Sequence, residues 1–240
     1  TVTIENNTIV RNSGSGIASG VPGQGGGGDG LTINILSNYI ADNTNSDGGG
    51  IYSLDRSPTM NVRYNRIHNN NATNGSALYI NDGASSGLDT YEYNTITGGT
   101  GSSLLFKYQG NPTLQYNNFI RNSENYLIYD DRNVEENALF NFENNWWGTT
   151  SSLALNDLIY DWYDNPTKEA IDFTPFLTAP NTTAPPSPPT NLAAQTASAS
   201  IAFSPHRMIA SMSSVTSLAP SGCARSSAST TSSGAPFLEA

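Results

Sequence analysis

Three basic side chains, Arg63, Arg66 and His68, stand close together in the first third of the chain. A basic group on a surface groove can act as the general base that takes a proton from an activated carbon atom, so these three are the candidate catalytic residues. Arg63 also has a simpler explanation, because Glu92 occupies the matching position one repeat later and would form a cross-strand ion pair with it. The sequence is compatible with both roles.

The chain contains 20 Asp and Glu residues, but no motif gathers them at one site. Asp42, Asp55, Asp82 and Asp89 are the side chains that could hold a calcium ion, which prefers oxygen ligands. The adjacent pair Asp130–Asp131 could supply the two carboxyl groups that glycoside hydrolysis requires.

A glycine-rich stretch, GQGGGGDGLTI at residues 23–33, matches two ligand-binding motifs only in part. Calcium-binding nonapeptides occur in tandem, whereas here the pattern occurs once with Asp29 displaced by one position. A dinucleotide-binding loop is followed by a helix, whereas a strand pattern follows this one. We therefore expect a flexible loop, with no bound metal and no cofactor.

Aromatic side chains recur at matching positions along the chain. One set is Tyr64, Tyr93 and Tyr116, and a second set is Tyr52, Tyr79, Phe106 and Tyr129. Rings repeated at a strand spacing of ~4.8 Å could bind a sugar chain by face contact, or could fill the interior of a stack of coils. Trp146, in the segment NNWWGTT, is another candidate for sugar stacking. The candidate ligand-binding residues are therefore Tyr64, Tyr93, Tyr116 and Trp146.

All these candidates lie within a repeated phrase that has an asparagine at its centre. The phrase first appears as VTIENNTIVRN, and its six copies are centred on Asn7, Asn38, Asn65, Asn94, Asn117 and Asn145. An apolar residue stands three positions before each centre and another two positions after it. A second asparagine stands five positions after four of the centres, at Asn12, Asn43, Asn70 and Asn122.

The repeat predicts a solenoid of about six coils. A unit of 23 to 31 residues is too short to bury its own apolar face, so neighbouring units must stack and their strands must pair in parallel. Stacked asparagine amides can donate and accept along a column, which predicts an inward ladder at the central asparagine. The columns also predict that Trp147 points inward and Trp146 outward.

The repeats resemble those of right-handed parallel β-helix proteins of the pectate-lyase-like architecture, in particular bacterial secreted and surface proteins. The resemblance covers residues 1 to about 180 and implies an all-β fold. This architecture carries lyases, hydrolases, epimerases, adhesins and binding rods, so it leaves the function open. For a polysaccharide lyase, the resemblance implies a base among Arg63, Arg66 and His68, Ca²⁺ or another cation at the uronate, and a catalytic groove mostly on coils upstream of residue 1.

The pattern changes after the sixth repeat, so we place the β-helix in residues 1–150 and a C-terminal cap in residues 151–180. Five apolar residues of the cap share one helical face: Leu155, Leu158, Ile159, Trp162 and Tyr163. The segment AIDFTPFL alternates at Ile171 and Phe173, as a strand does. Such a cap would close the open end of the last coil, with Trp147 filling the core and Trp146 under the helix.

Two segments follow the cap. Residues 181–192 are a Pro-rich linker. The stretch PPSPPTNLAAQTASASIAFS resembles the first strands of a fibronectin type III module, but the last 48 residues contain no Trp or Tyr. We therefore expect residues 193–240 to be disordered or to be a truncated module of that type.

Composition narrows the choice of partners. The net charge of −10 disfavours nucleic acid and anionic membranes. A single Cys excludes an internal disulfide, and no apolar run approaches the ~18 residues of a membrane span. The sequence starts in mid-pattern, so a signal peptide is expected upstream. The expected function is a monomeric, non-catalytic rod, extracellular or on the cell surface, that binds a polysaccharide, a cell-surface glycan or a partner within a larger modular protein.

Overall fold

The computed structural model describes residues 1–19, 31–54, 59–81, 89–107, 112–120, 126–132, 140–187, 202–204 and 207–209. Within these residues the chain is a right-handed parallel β-helix with almost no α-helix, which confirms the predicted fold class. It completes about five turns, and the sixth copy of the repeat contributes only a partial turn.

Each turn contributes one short strand to each of three parallel sheets. Sheet A contains β1 (Val2–Glu5), β4 (Thr32–Leu36), β7 (Thr59–Arg63), β10 (Thr90–Glu92) and β13 (Thr113–Gln115). Sheet B contains β2 (Thr8–Val10), β5 (Tyr39–Ala41), β8 (Arg66–His68), β11 (Thr95–Thr97) and β14 (Asn118–Ile120). Sheet C contains β3 (Ile17–Ser19), β6 (Ile51–Leu54), β9 (Leu78–Asn81), β12 (Leu104–Lys107), β15 (Ile128–Asp130) and β17 (Ile159–Tyr160).

The strand register confirms the apolar columns of the repeat. In sheet A the inward column is Ile4, Ile35, Val62, Tyr91 and Leu114. In sheet B it is Ile9, Ile40, Ile67, Ile96 and Phe119. All these side chains are buried, so the core is one continuous apolar stack from the first turn to the last.

The predicted asparagine ladder forms the corner between sheets A and B. At each step the backbone N–H and the side-chain Nδ2 of one asparagine donate to the Oδ1 atom of the next, as Asn38 does to Asn65 at 2.9 and 3.1 Å. The Nδ2 atom also donates to a backbone carbonyl, as that of Asn38 does to the carbonyl of Ile4 at 2.9 Å. The ladder therefore satisfies the polar groups that the bend would otherwise bury without partners.

A second, shorter ladder forms the next corner, between sheets B and C. Asn12 donates to Asn43, and Asn43 donates to Asn70, at 2.8 and 2.9 Å between side chains. It ends where Gly99 replaces asparagine, as the repeat predicts.

The helix of the cap is shorter than its pattern predicts. α1 spans Ser152–Asn156, and Ser151 caps it by accepting a hydrogen bond from the N–H of Ala154 at 3.3 Å. Leu155 and Leu158 are buried, but the helix ends before Ile159.

The predicted helical face beyond Asn156 is wrong, because Ile159–Tyr160 is a strand. It pairs in parallel with Ile128–Tyr129 and so extends sheet C by one strand. Pairing with an unsatisfied sheet edge outweighs the helical periodicity of this segment. Trp162 and Tyr163 are 45% and 74% exposed, so they do not pack beside Leu155 on a common face.

A last pair of strands completes the sixth, partial turn. β16 (Phe140–Asn141) pairs in parallel with β18 (Ile171–Asp172), which confirms the strand expected at Ile171. The following backbone occupies the place of another coil, since Asn144 donates to the carbonyl of Pro175 and Leu177 donates to that of Asn145 at 2.9 Å. The end of the asparagine ladder is thereby covered.

Most of the C-terminal region lies outside the described residues, and so does the expectation of a disordered or truncated module over residues 193–240. The exceptions are β19 (Ala202–Ser204) and β20 (Arg207–Ile209), which pair as an antiparallel hairpin. The glycine-rich loop over residues 20–30 and the calcium candidates Asp55 and Asp82 are likewise outside the described residues.

Candidate functional site

Each corner between sheets A and B contains one residue in the left-handed conformation. It stands immediately before the ladder asparagine, and the six residues are Asn6, Ser37, Tyr64, Tyr93, Tyr116 and Asn144, with φ between 54° and 61°. A left-handed residue lets the chain turn sharply while the following asparagine points into the ladder. The side chain of the left-handed residue faces solvent, as its partial or full exposure shows at all six positions.

Three of these left-handed residues are the candidate tyrosines, which we call the tyrosine ladder. The rings of Tyr64 and Tyr93 have centroids 5.2 Å apart and planes 14° apart, and those of Tyr93 and Tyr116 are 5.2 Å and 9° apart. Tyr64 is 41% exposed. The ladder is external, so the alternative that these tyrosines fill the core is wrong.

The ring faces of the tyrosine ladder contact one another rather than solvent. A chain lying along the ladder would meet ring edges and phenol hydroxyls, and an uncovered ring face only at the ends of the ladder. Burial raises the pKa of Tyr93, and the carboxylate of Glu92 raises it further. The phenol of Tyr93 is therefore protonated at neutral pH and can donate as well as accept a hydrogen bond.

The basic candidates lie on the two strands beside the corner of Tyr64, with Arg63 on β7 and both Arg66 and His68 on β8. The Nη2 atom of Arg63 lies 3.0 Å from the Oε2 atom of Glu92, which confirms the predicted cross-strand ion pair. The Nδ1 atom of His68 lies 2.6 Å from the Oγ1 atom of Thr97. The Nε atom of Arg66 is buried and has no hydrogen-bond partner in the described part of the chain. Arg63 and His68 are thus engaged by neighbouring coils.

The described carboxylate candidates serve the backbone and side chains around them. Asp89 is buried, accepts the backbone N–H of Met60 at 2.8 Å and accepts the hydroxyl of Tyr91 at 3.2 Å. Asp42 accepts the side-chain amide of Asn69 at 2.7 Å. Among the described residues, no group of three or more His, Cys, Asp or Glu side chains is arranged to hold a metal ion.

The Asp130–Asp131 pair lies in an ionic network between the fifth turn and the cap. Asp130 is fully buried at an inward position and forms a bidentate pair with Arg132, at 2.6 and 2.9 Å. Asp131 pairs with Lys168 at 2.8 Å. The guanidinium of Arg132 also lies over the ring of Phe140. These charges join the cap to the last full turn.

The predicted second aromatic column is wrong by one residue in the fourth repeat. Tyr52 and Tyr79 stack with centroids 5.1 Å apart, but Leu105 follows them in the register, and Phe106 points into the core with 1% exposure. A shift of one residue moves a strand side chain to the opposite face. Tyr129 resumes the outward column.

The two adjacent tryptophans occupy the predicted faces. Trp147 is 1% exposed and stacks on Phe119 with centroids 4.7 Å apart, so it fills the last layer of the core. Trp146 is half-buried and is paired with Asn118 of sheet B. The expectation that Trp146 lies under a helix at residues 155–163 is wrong, since α1 ends at Asn156.

The outer face of sheet B is partly covered by the chain itself, a feature that sequence reasoning missed. Asn181 donates its backbone N–H to Asn118 at 2.7 Å and its side-chain amide to the carbonyl of Tyr116 at 2.7 Å. One turn further back, the hydroxyl of Thr95 donates to the carbonyl of Pro185. Asn118 and Thr95 are buried although they face outward, so this part of sheet B is not an open surface.

These features define a right-handed parallel β-helix with an external tyrosine ladder. No family model, no curated protein and no solved structure matches the chain. Among the described residues, no helix is both long enough and apolar enough to cross a bilayer.

Proposed function

We propose that this chain is a non-catalytic rod, extracellular or on the cell surface, that binds a glycan along its tyrosine ladder. In this proposal it acts as a monomeric module of a larger protein, without a metal or cofactor. The resemblance of the repeats to pectate-lyase-like secreted and surface proteins supports this location, and the resemblance of the segment after the cap to a fibronectin type III module supports a modular parent.

The observation that carries the proposal is the left-handed conformation of Tyr64, Tyr93 and Tyr116. A residue held in that region costs on the order of 1–3 kcal/mol, and bulky side chains are rare there. Asn6 and Asn144 occupy the same corner, which shows that a better suited residue fits it. Three tyrosines in succession at a position that favours asparagine are explained by a role on the surface.

The chemistry of the ladder suits a sugar chain. Along the ladder each tyrosine presents the apolar edge of its ring and a hydroxyl that both donates and accepts, which matches the alternating C–H and O–H groups of a pyranose. The rings repeat every 5.2 Å along the rod axis, so a regular polymer meets the same groups at each step. Several weak, equivalent contacts then add along one bound chain.

The test is electrophoresis in gels that contain soluble xylan, galactomannan, laminarin or hydroxyethylcellulose. The wild-type chain should be retarded by at least one of them. Tyr93→Asn should weaken retardation by about tenfold, equivalent to ~1.4 kcal/mol, with an unchanged circular dichroism spectrum. Tyr163→Asn is the matched control, because Tyr163 is exposed and lies outside the ladder.

Two outcomes contradict the proposal. If the triple variant Tyr64→Asn, Tyr93→Asn and Tyr116→Asn keeps full binding, the tyrosine ladder is not the binding site. Release of unsaturated product from a polyuronate with calcium, abolished by Arg66→Ala, would favour the lyase alternative, in which Arg66 is a base and calcium neutralises the uronate.

A further inference from the structure

A concave surface lies at a different corner of the coil, between sheets B and C. Its cavity measures about 580 Å³, within the ~300–1,000 Å³ that small-molecule sites occupy. The lining includes Asn71, Asn74, Thr100, Ser102, Tyr126 and Tyr129. It therefore spans the third, fourth and fifth turns, on a corner that the tyrosine ladder does not occupy.

The floor of the cavity depends on a glycine. Gly101 adopts a left-handed φ of +69°, and a Cβ atom there would lie 2.4 Å from the carbonyl oxygen of Thr73 and 2.5 Å from that of Ala72. No larger residue allows this approach without moving the backbone. Beside it, Asn71 and Thr100 lie on neighbouring coils and form a parallel bridge, and the hydroxyl of Thr100 donates to the Oδ1 atom of Asn71. The polar side of the cavity is thus built by regular stacking.

The aromatic side of the cavity is fixed by a third ring. Tyr129 stacks on Tyr160 with centroids 4.5 Å apart and planes 3° apart. Tyr126 stands across both rings, at 61° to Tyr129 and 60° to Tyr160. The wall therefore keeps its shape without a ligand, so little conformational freedom is lost on binding.

The chemistry of the lining selects an uncharged ligand. The described residues of the lining supply amides, hydroxyls and tyrosines, and none of them has an acidic or basic side chain. Asn74 directs its Nδ2 to Asp47 at 2.7 Å, which leaves its Oδ1 to accept a ligand hydroxyl. The Nδ2 of Asn71 and the hydroxyl of Thr73 have no partner among the described residues and are exposed. Ring surfaces beside neutral donors and acceptors fit a polyhydroxylated ring, whereas a carboxylate would meet no cation among the described residues of the lining.

We propose that this cavity is a second saccharide-binding site, which takes one or two units of an uncharged glycan. The inference rests on the proposed carbohydrate-binding function but not on the tyrosine ladder. Since the two sites lie on different corners, one rod could hold two glycan segments at once and gain avidity.

The experiment isolates the cavity by removing the ladder first. Titration calorimetry measures binding of xylohexaose, mannohexaose, laminarihexaose and cellohexaose to the variant with asparagine at all three ladder tyrosines, with trigalacturonate as the charged comparison. At least one neutral hexasaccharide should bind with one site. Tyr126→Ala should weaken it by about tenfold, equivalent to ~1.4 kcal/mol, and Tyr126→Phe should keep most of the affinity.

A variant at the rim of the cavity tests binding at an exposed position, where no packed side chain is removed. Thr73→Arg places a long side chain at the exposed mouth of the cavity and should abolish binding, whereas Thr3→Arg, at an exposed position on sheet A, should not. Circular dichroism spectra and thermal midpoints confirm that both variants fold. Unchanged binding by Thr73→Arg overturns the inference.

The remaining outcomes separate this inference from the proposed function. If the wild-type chain binds a neutral hexasaccharide and the ladder variant binds none, the cavity inference fails and the ladder proposal stands. If neither protein binds any of the four, both fail. If trigalacturonate binds the ladder variant and Thr73→Arg prevents it, the cavity is a site for acidic sugars and the assigned ligand class is wrong.

Discussion

The backbone N–H and the side-chain Nδ2 of Asn94 both donate to the Oδ1 atom of Asn117, at 2.9 and 3.0 Å. Each asparagine from Asn7 to Asn117 makes the same paired contact with the next, and Asn145 receives the last one. Because every amide serves two coils, the ladder couples each turn of the rod to both neighbours.

Asn94→Ala should therefore be strongly destabilising. The change leaves the backbone N–H of Asn65 buried without its acceptor and removes the donor to the carbonyl of Val62, at roughly 1–3 kcal/mol for each unsatisfied group. The Nδ2 of Asn65 keeps two other acceptors, the carbonyls of Ile35 and Arg63. We expect a loss of at least ~2 kcal/mol in the free energy of unfolding, measured by urea denaturation. Asn34→Ala, at a half-exposed asparagine on sheet A, is the control and should cost under ~1 kcal/mol. Equal effects from the two variants would contradict the inward ladder.

Trp147→Ala should destabilise the C-terminal end of the rod by ~3–5 kcal/mol, because it removes a buried ring that stacks on Phe119. The indole N–H of Trp147 has no hydrogen-bond partner within the described chain, so Trp147→Phe should be much milder. Thermal unfolding followed by circular dichroism measures both. A near-neutral Trp147→Ala would refute the core position, and Trp146→Ala provides the comparison for the half-buried neighbour.

Arg132→Met should destabilise the junction between the fifth turn and the cap by ~3–5 kcal/mol, since it leaves the fully buried Asp130 without its cation. Adding Asp130→Leu should restore part of that loss, because the same inward column holds Ile80 and Phe106 in the preceding turns. Calorimetry of the single and double variants checks the sign. If the double variant is less stable than Arg132→Met, the unpaired charge of Asp130 is not what destabilises the single variant.

Alkaline unfolding should depend on Tyr79. Burial, with a smaller contribution from Asp47, raises the pKa of Tyr79 from 10.0 to about 12. The folded state therefore favours the neutral phenol, so its stability is unaffected below pH 10 and falls as the pH rises from 10 to 12. Tyr79→Phe should lessen the decline in this range, measured as urea midpoints against pH. Tyr163→Phe, at an exposed tyrosine, should follow the wild type.

The architecture was predictable because a stacked fold repeats its constraints. Every turn must supply an amide such as Asn94 at one corner and an apolar side chain such as Ile96 two positions later, so the period appears directly in the sequence. Phe106 was assigned to the wrong face because the loop before its strand differs in length from that of the preceding turn. Leu104, Leu105 and Phe106 are all apolar, so a shift of one residue keeps an apolar residue at each position but exchanges the inward and outward faces of the strand.

The features that the sequence did not reveal depend on tertiary contacts. Leu155, Leu158 and Ile159 have helical spacing, but the open edge of sheet C draws Ile159 into a strand. The cover over sheet B depends on Asn181 and Pro185, whose partners are more than sixty residues away. The outward direction of Tyr93 depends on its left-handed backbone, which no alternation pattern encodes.

The left-handed corner also has a consequence for how such a rod can change. Its side chain contributes nothing to the core, and the sequence already places asparagine, serine and tyrosine there, at Asn6, Ser37 and Tyr64. Substitution at one corner therefore leaves the core packing intact and changes only the contacts on the outer surface. The residue at this corner can therefore change in one coil at a time, so the binding surface can diverge during evolution while the core of the rod stays the same.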